Sequence, residues 1–379
     1  MASIYIHIPF CKQACHYCDF HFSTSMGKKE EMIQAIAREL VMRKDEFATV
    51  TIDCMYFGGG TPSVLEIREI EHIIATIYEH YTVSKTPEIT LEANPDDLLI
   101  EKIRQLAASP INRLSIGVQS FFREDLKLMN RAHNEQDAIS CIRLVKPYFD
   151  NISIDLIYGI PGMTQERWLK NLEQALDFTI PHISAYALTV EPKTALAHFI
   201  EQQIIAPVDD AVAREHHQIL VSTLEAAGYE NYEFSNFGKS GYYSKNNTAY
   251  WEGQSYIGIG PGAHSYNGKR RAWNISNNPK YIKSIGENSL PQEIEVLSLT
   301  DRYNEYVMTR LRTQKGVALD EMDSAFGARF KTYMLDQAGS HIKEGLLQLQ
   351  NNQLTITQKG KFLSDGIAAD LFMIDLSED

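Results

Sequence analysis

Short apolar runs rich in β-branched residues alternate, along the first half of the chain, with longer stretches of helical period. Strands are predicted over Ser3–Ile8, Thr51–Phe57, Glu88–Ala93, Arg113–Val118, Asn151–Ile157 and His182–Leu188. Between the first two, Glu30–Arg43 sets Met32, Ile33, Ile36, Ala37 and Leu40 at the spacing of one helix face. Ile67–Tyr81, Leu98–Ala107, Glu135–Val145 and Gln165–Phe178 follow the same pattern. Strand and helix in regular turn mean βαβ units on a parallel sheet. Six such units predict an α/β fold, a partial (βα)6 barrel that stays open where an eightfold one would close.

From about residue 207 the pattern changes. Asp210–Gly228 predicts one long helix stopped by a glycine. Tyr229–Asn278 is dense in Gly, Asn, Tyr and Ser and reads as loop. A smaller helical unit begins near Ser298 and runs to Leu346–Ile356, where Asn351 and Asn352 suit the turn of a hairpin. Helices followed by a hairpin suggest a winged-helix-like module. The expected organisation is a barrel over 1–235, a loop-rich connection over 236–297 and a helical, winged C-terminal domain over 298–379.

Every predicted strand runs into unusual residues. The ends are Pro9–Phe10–Cys11, Gly58–Gly59–Gly60–Thr61–Pro62, Glu92–Ala93–Asn94–Pro95 and Gly117–Val118–Gln119–Ser120. The fifth strand contains Asp155 and leaves through Gly159–Ile160–Pro161–Gly162; the sixth leads to Glu191–Pro192. Active sites of parallel α/β folds lie at the carboxyl ends of the strands, so these residues point to one shared site.

Charge narrows the partners. The 379 residues hold 36 Lys and Arg against 49 Asp and Glu, a formal charge of −13. That balance argues against holding nucleic acid by its phosphates. Lys343, Lys359 and Lys361 in the winged unit are opposed by Glu344 and an acidic end. No run approaches the ~20 apolar residues of a membrane helix. Met1–Phe10 lacks a basic leader, so no export signal is expected and the cytoplasm is the expected location.

Five cysteines make a poor disulfide framework, but three of them, Cys11, Cys15 and Cys18, form C-x3-C-x2-C. On a loop this spacing lets three thiolates meet at one centre. A zinc site completed by His7, His16 or Asp19, a disulfide with a spare thiol, and an iron–sulfur cluster all satisfy it. Cys54 and Cys141 fall inside a strand and a helix and read as core. With only three nearby thiolates, a [4Fe–4S] cube would keep one iron open to a ligand. Gly58–Gly59–Gly60 permits close approach of backbone to a ligand, and equally a tight strand-to-helix turn. It is neither a G-x-G-x-x-G fingerprint nor a P-loop.

The cysteine loop after a first strand resembles the radical S-adenosylmethionine (SAM) enzymes. Tyr5-Ile-His-Ile-Pro-Phe-Cys11 is similar to their coproporphyrinogen-dehydrogenase branch and, within it, to the heme chaperones of the HemW type. The resemblance spans nearly the whole chain. It implies a [4Fe–4S] cluster on Cys11, Cys15 and Cys18 whose fourth iron is chelated by exchangeable SAM. It implies SAM contacts from Gly59, Gly60, Thr61, Glu92, Gln119, Arg131 and Asp155, with Tyr5 and Tyr17 flanking. A carboxylate suits the SAM ammonium or ribose diol, and a guanidinium suits its carboxylate.

Two departures separate the chain from the dehydrogenases. Phe20 stands where they carry a further cysteine, and only ten residues precede Cys11, so their N-terminal extension is expected to be missing. The resemblance thus implies heme binding and delivery to apo-cytochromes of the respiratory membrane, with peripheral membrane association through those partners. Oxidative decarboxylation of coproporphyrinogen III is the alternative. A homodimer is compatible with either. The chaperones show His-Asn-x-x-Tyr-Trp; here Asn246 replaces the His, while Asn247, Tyr250 and Trp251 remain to line a porphyrin. An amide is a poor axial ligand, and His264 is the nearest other imidazole in sequence.

Overall fold

The chain is described by a computed structural model over residues 2–374, so residues 375–379 of the expected C-terminal domain lie outside the described residues. Six parallel strands, β1 (Ala2–Ile8), β2 (Ile52–Gly59), β3 (Val83–Ala93), β4 (Arg113–Gln119), β5 (Ile152–Tyr158) and β6 (His182–Ala187), lie side by side in sequence order. The connections carry α1 (Lys29–Met42), α2 (Ile67–His80), α3 (Ile100–Ala108), α4 (Arg123–Leu128), α5 (Glu135–Val145) and α6 (Gln165–Asp177). After β6 come α7 (Ala195–Glu201) and α8 (Asp210–Ala226).

Alternation along the strands sorts the two faces. Ile4, Ile6 and Ile8 of β1 share a core with Met32, Ile36 and Leu40 of α1, and all six are fully buried. Burying a side chain of that size contributes about 1.5–3 kcal/mol. In β4, Leu114, Ile116 and Val118 belong to the same core, which leaves Arg113, Ser115, Gly117 and Gln119 for the opposite, concave face. The helices start on side-chain caps where the sequence supplies them: Asn134 with Asp137 for α5, Thr164 for α6 and Asp209 for α8.

Boundaries shift where pairing overrides local pattern. β2 runs two residues beyond Phe57, because Gly58 and Gly59 pair with His7 and Ile8. α3 starts only at Ile100, since Pro95–Asp97 takes one 3-10 turn first. α8 stops before Gly228, whose φ is 79°.

The stretch read as loop folds into short regular elements. They are β7 (Glu230–Glu233), β8 (Asn236–Gly238), α9 (Lys245–Trp251), β9 (Tyr256–Ile259), β10 (His264–Tyr266) and β11 (Arg270–Asn274). α10 (Asn278–Gly286) and β12 (Gln292–Val296) follow. These strands have three to five residues each, too few for a period-2 pattern to declare itself. The β7–β8 hairpin extends the sheet antiparallel to β6, and β9 pairs parallel to β1. β10, β11 and β12 continue from β9 to give one twelve-stranded mixed sheet.

A smaller unit follows, with its own core around Tyr303, Val307, Leu311, Met322, Met334 and Leu354. Its elements are α11 (Leu299–Leu311), β13 (Val317–Ala318), α12 (Leu319–Phe326), α13 (Ala328–Lys343), β14 (Leu347–Gln350), β15 (Gln353–Ile356) and α14 (Ser364–Asp370). This helix–strand–helix–helix–hairpin order is that of a winged helix. Asn351 and Asn352, at φ 49° and 64°, make the β14–β15 turn. Among the described residues no helix is long and apolar enough to cross a membrane.

Candidate functional site

The cysteine loop is pinned at both ends and along its length. Cys11 N–H donates to Ser23 O at 3.1 Å and Ser23 N–H to Pro9 O at 3.0 Å, closing residues 11–23 on themselves. In mid-loop, His16 N–H donates to Met129 O at 3.1 Å and its Nδ1 lies 2.8 Å from Leu128 O. Asn130 Nδ2 donates to Ala14 O at 2.7 Å. The loop therefore rests on the turn after α4, the segment that also carries Arg131.

Arg131 is buried at the centre of this contact. Its Nη2 donates to Asn94 Oδ1 at 2.6 Å and Gly117 O at 3.0 Å, and Nη1 lies 3.3 Å from both Cys15 Sγ and Tyr17 Oη. The Arg131 Nε is buried without a partner. The glycine loop is docked on β1: Gly60 N–H donates to Ile8 O at 2.9 Å and Thr61 N–H to Phe10 O at 2.7 Å. A Cβ on Gly60 would fall 2.7 Å from the backbone oxygen of Phe10, so that position excludes a side chain, whereas one on Gly117 would press only on the end of the Gln119 side chain, at 2.9 Å from Nε2. Gln119 itself sits at φ 65°, where β4 loses register with β5. A non-glycine residue held in that region at a cleft is strained backbone of the kind found at binding sites.

One cavity of about 840 Å³ gathers these groups. Cys11, Cys15, Cys18, Tyr17, Gly59, Gly60 and Thr61 line it with Glu92, Gln119, Arg131, Asp155 and Asn247. Glu92 accepts from Tyr56 Oη at 2.7 Å, and burial pushes its carboxyl up to about 7. Asp155 lies 3.3 Å from Ser115 Oγ, and burial pushes it up to about 6. Burial also raises the thiols of Cys11 and Cys18, the latter to about 11. All five cysteines are free; Cys54 and Cys141 are buried in β2 and α5, away from the cavity. Among the described residues no three His, Cys, Asp or Glu side chains are drawn into a ready-made metal cage.

Not every sequence-predicted residue reaches the cavity. Tyr5 lies outside its lining, stacked on Tyr56 at 6.1 Å with its hydroxyl 3.2 Å from His7 Nδ1. The segment expected to line a porphyrin occupies α9, and helical spacing splits it between two faces. Asn247 faces the cavity, and Trp251, one turn on, lies under the Arg312 guanidinium at 5.2 Å. Asn246 and Tyr250 share the other face, where Tyr250 is exposed and accepts from Tyr256 Oη at 3.2 Å. His264 is exposed against Trp273 and does not line the cavity.

Asn94, at a strand end already singled out, lines the cavity. Three further sets of lining residues were not singled out. Ser184 sits on the sixth strand. Arg312, Phe362 and Asp365 reach the cavity from the C-terminal unit, and no local signal connects them to the barrel. Arg113 lies deep on β4, and strand alternation alone would have pointed it inward.

The radical SAM superfamily model matches residues 5–175 and the HemN C-terminal domain model residues 297–363. The heme chaperone HemW of Lactococcus lactis is 33% identical over 376 residues, covering 99% of this chain and 98% of that protein. Those of Bacillus subtilis and Escherichia coli K12 are 31% and 30% identical, covering 97% and 98% of this chain and 98% of each relative. The solved coproporphyrinogen III oxidase (HemN) of Escherichia coli, titled a radical SAM enzyme, superposes with a TM-score of 0.85 at 23% identity, over 98% of this chain and 90% of that one. The superfamily implies a [4Fe–4S] cluster and SAM. The chain belongs to the radical SAM superfamily and, within it, to the family of the HemW proteins.

Proposed function

We propose that this chain is a heme chaperone that binds a [4Fe–4S] cluster, SAM and heme, and delivers heme to respiratory cytochromes. The observation that carries the site is the meeting of three free cysteines, a glycine cradle and Arg131 at one cavity mouth. Near-full-length likeness to heme chaperones supports the function.

The residues present fit the cofactors. Cys11, Cys15 and Cys18 are soft donors, and burial of Cys11 and Cys18 disfavours free thiolates, so a cationic centre is needed to hold them deprotonated. Gly60 leaves room where a Cβ would clash with backbone. When bound, the cluster and SAM together supply one-electron chemistry. The Arg131 charge, fixed by its four protein partners, draws a carboxylate to the mouth, Glu92 and Asp155 receive cationic or hydroxyl groups once ionised, and Gln119 offers an amide from its strained turn. Tyr17, beside Arg131, covers the cysteine loop from the cavity side. Asn247 and Trp251 are proposed to meet heme.

The test is anaerobic reconstitution followed by ferric heme titration and coproporphyrinogen III turnover on one sample. Heme binding without porphyrinogen oxidation is expected. Conversion to protoporphyrinogen would overturn the assignment.

A further inference from the structure

Arg113 opens β4 on the concave face of the sheet and is 2% exposed. Its Nε is buried with no hydrogen-bond partner, and among the described residues no carboxylate stands at ion-pair distance from its guanidinium. It nevertheless lines the main cavity. Leaving a buried guanidinium unpaired is costly, and folded chains normally pair such a group. Glu88, Glu92 and Asp155 lie near enough to feel its charge, but none pairs with it directly. Glu88 accepts from Lys245 N–H at 3.0 Å, Glu92 from Tyr56 and Asp155 from Ser115.

Arg131 gives the contrast. At the mouth it has four protein partners, whereas Arg113, four residues before Gly117 on the same strand, lies roughly 13 Å deeper at about 3.3 Å per residue. The cavity, about 840 Å³, lies toward the upper end of the usual range of roughly 300–1,000 Å³ for ligand pockets. Asn247 of α9 lines it as well, so the floor joins the barrel to the segment proposed to meet heme.

We propose that Arg113 is the anchor for a carboxylate of a ligand that reaches the barrel floor. A planar fork with unpaired donors facing a cavity takes a carboxylate bidentately. Within the heme reading, on which this rests, that group is a propionate arm of the tetrapyrrole. The other source of the same chemistry is the amino-acid end of SAM. No covalent step is involved; Arg113 binds and orients.

The experiment compares ferric heme, its propionate dimethyl ester and SAM as ligands of the cluster-reconstituted wild type and of Arg113→Gln. Heme affinity is expected to fall about tenfold in the variant, with ester and SAM affinities unchanged. Equal heme affinity in both proteins overturns the proposal, as does an equal loss for the ester. If wild type binds neither heme nor ester, the heme reading fails. Weaker SAM binding by Arg113→Gln then still supports a carboxylate anchor, and unchanged SAM binding overturns it. Arg113→Lys keeps the charge facing Glu88 and Asp155 should the Gln variant not fold. It is expected to lose part of the heme affinity and none for the ester, because a point charge replaces a fork; full heme affinity in the Lys variant overturns the fork.

Discussion

The mouth of the barrel and helix α9 were both singled out from sequence, and they are built differently. At the mouth, residues from five strand ends and one loop converge on one cavity. In α9, three residues within five positions split between two faces: Asn247 into the cavity with Trp251 beneath Arg312 on one, and Tyr250 outward onto Tyr256 on the other. Parallel strands deliver their carboxyl ends to one place whatever their separation in sequence, whereas a helix turns successive side chains through 100° steps. Closeness along the chain is therefore weaker evidence of a common site than a common address in the fold.

The largest effect on this contrast comes from the cysteine loop. Cys11→Ala is expected to remove nearly all cluster iron, measured by metal and sulfide analysis after anaerobic reconstitution. If α9 acts apart from the mouth, ferric heme still binds this variant; joint loss would show the two regions to be one site.

Arg131→Gln comes next. It removes a charged group with four partners, and SAM affinity by calorimetry is expected to fall roughly 10–100-fold. An unchanged SAM affinity would make Arg131 only a strut for the cysteine loop.

A smaller effect follows from pH. Glu92 and Asp155 titrate at about 7 and about 6 because burial disfavours their charged forms. Only the ionised carboxylate attracts a cationic ligand group, so SAM affinity should rise about tenfold between about pH 5 and about pH 8. Stability of the ligand-free protein moves the other way. A raised folded-state pKa means that the fold retains protons the unfolded chain has released, so stability falls as pH climbs from the unfolded carboxyl value through about 7. Thermal melts across that window should show opposite trends with and without SAM; parallel trends would remove these carboxylates from the SAM site.

The smallest expected change is that of Asn246→His. It places an imidazole on the face shared with Tyr250, and ferric heme affinity should rise a few-fold, with a shifted Soret band. An unchanged spectrum would place the porphyrin with Asn247 and the cavity.

What the sequence disclosed follows the same logic. Isoleucines at alternate positions of β1 and the i, i+4 pattern of α1 expose long elements, and the strand-end residues then follow from topology. The hairpin turn was legible in Asn351–Asn352, whose side chains tolerate left-handed backbone. β9 to β12 were not, because three- to five-residue strands carry too little period and owe their form to successive pairing outward from β1 through β9. Tyr5, close to Cys11 in sequence, lies on β1 stacked against Tyr56, outside the cavity lining. Arg113 carries no motif, and its lack of a direct partner becomes visible only once its neighbours are seen to be bonded elsewhere.

The C-terminal residues on the cavity wall have a consequence for biosynthesis. Asp365 and Phe362 complete an enclosure whose thiols, proposed to hold the cluster, begin at Cys11, so about 350 residues of translation separate those thiols from their cover. At roughly 5–20 residues per second this leaves the loop uncovered for about 20–70 s on the ribosome, an interval in which iron and sulfide have an open route to it.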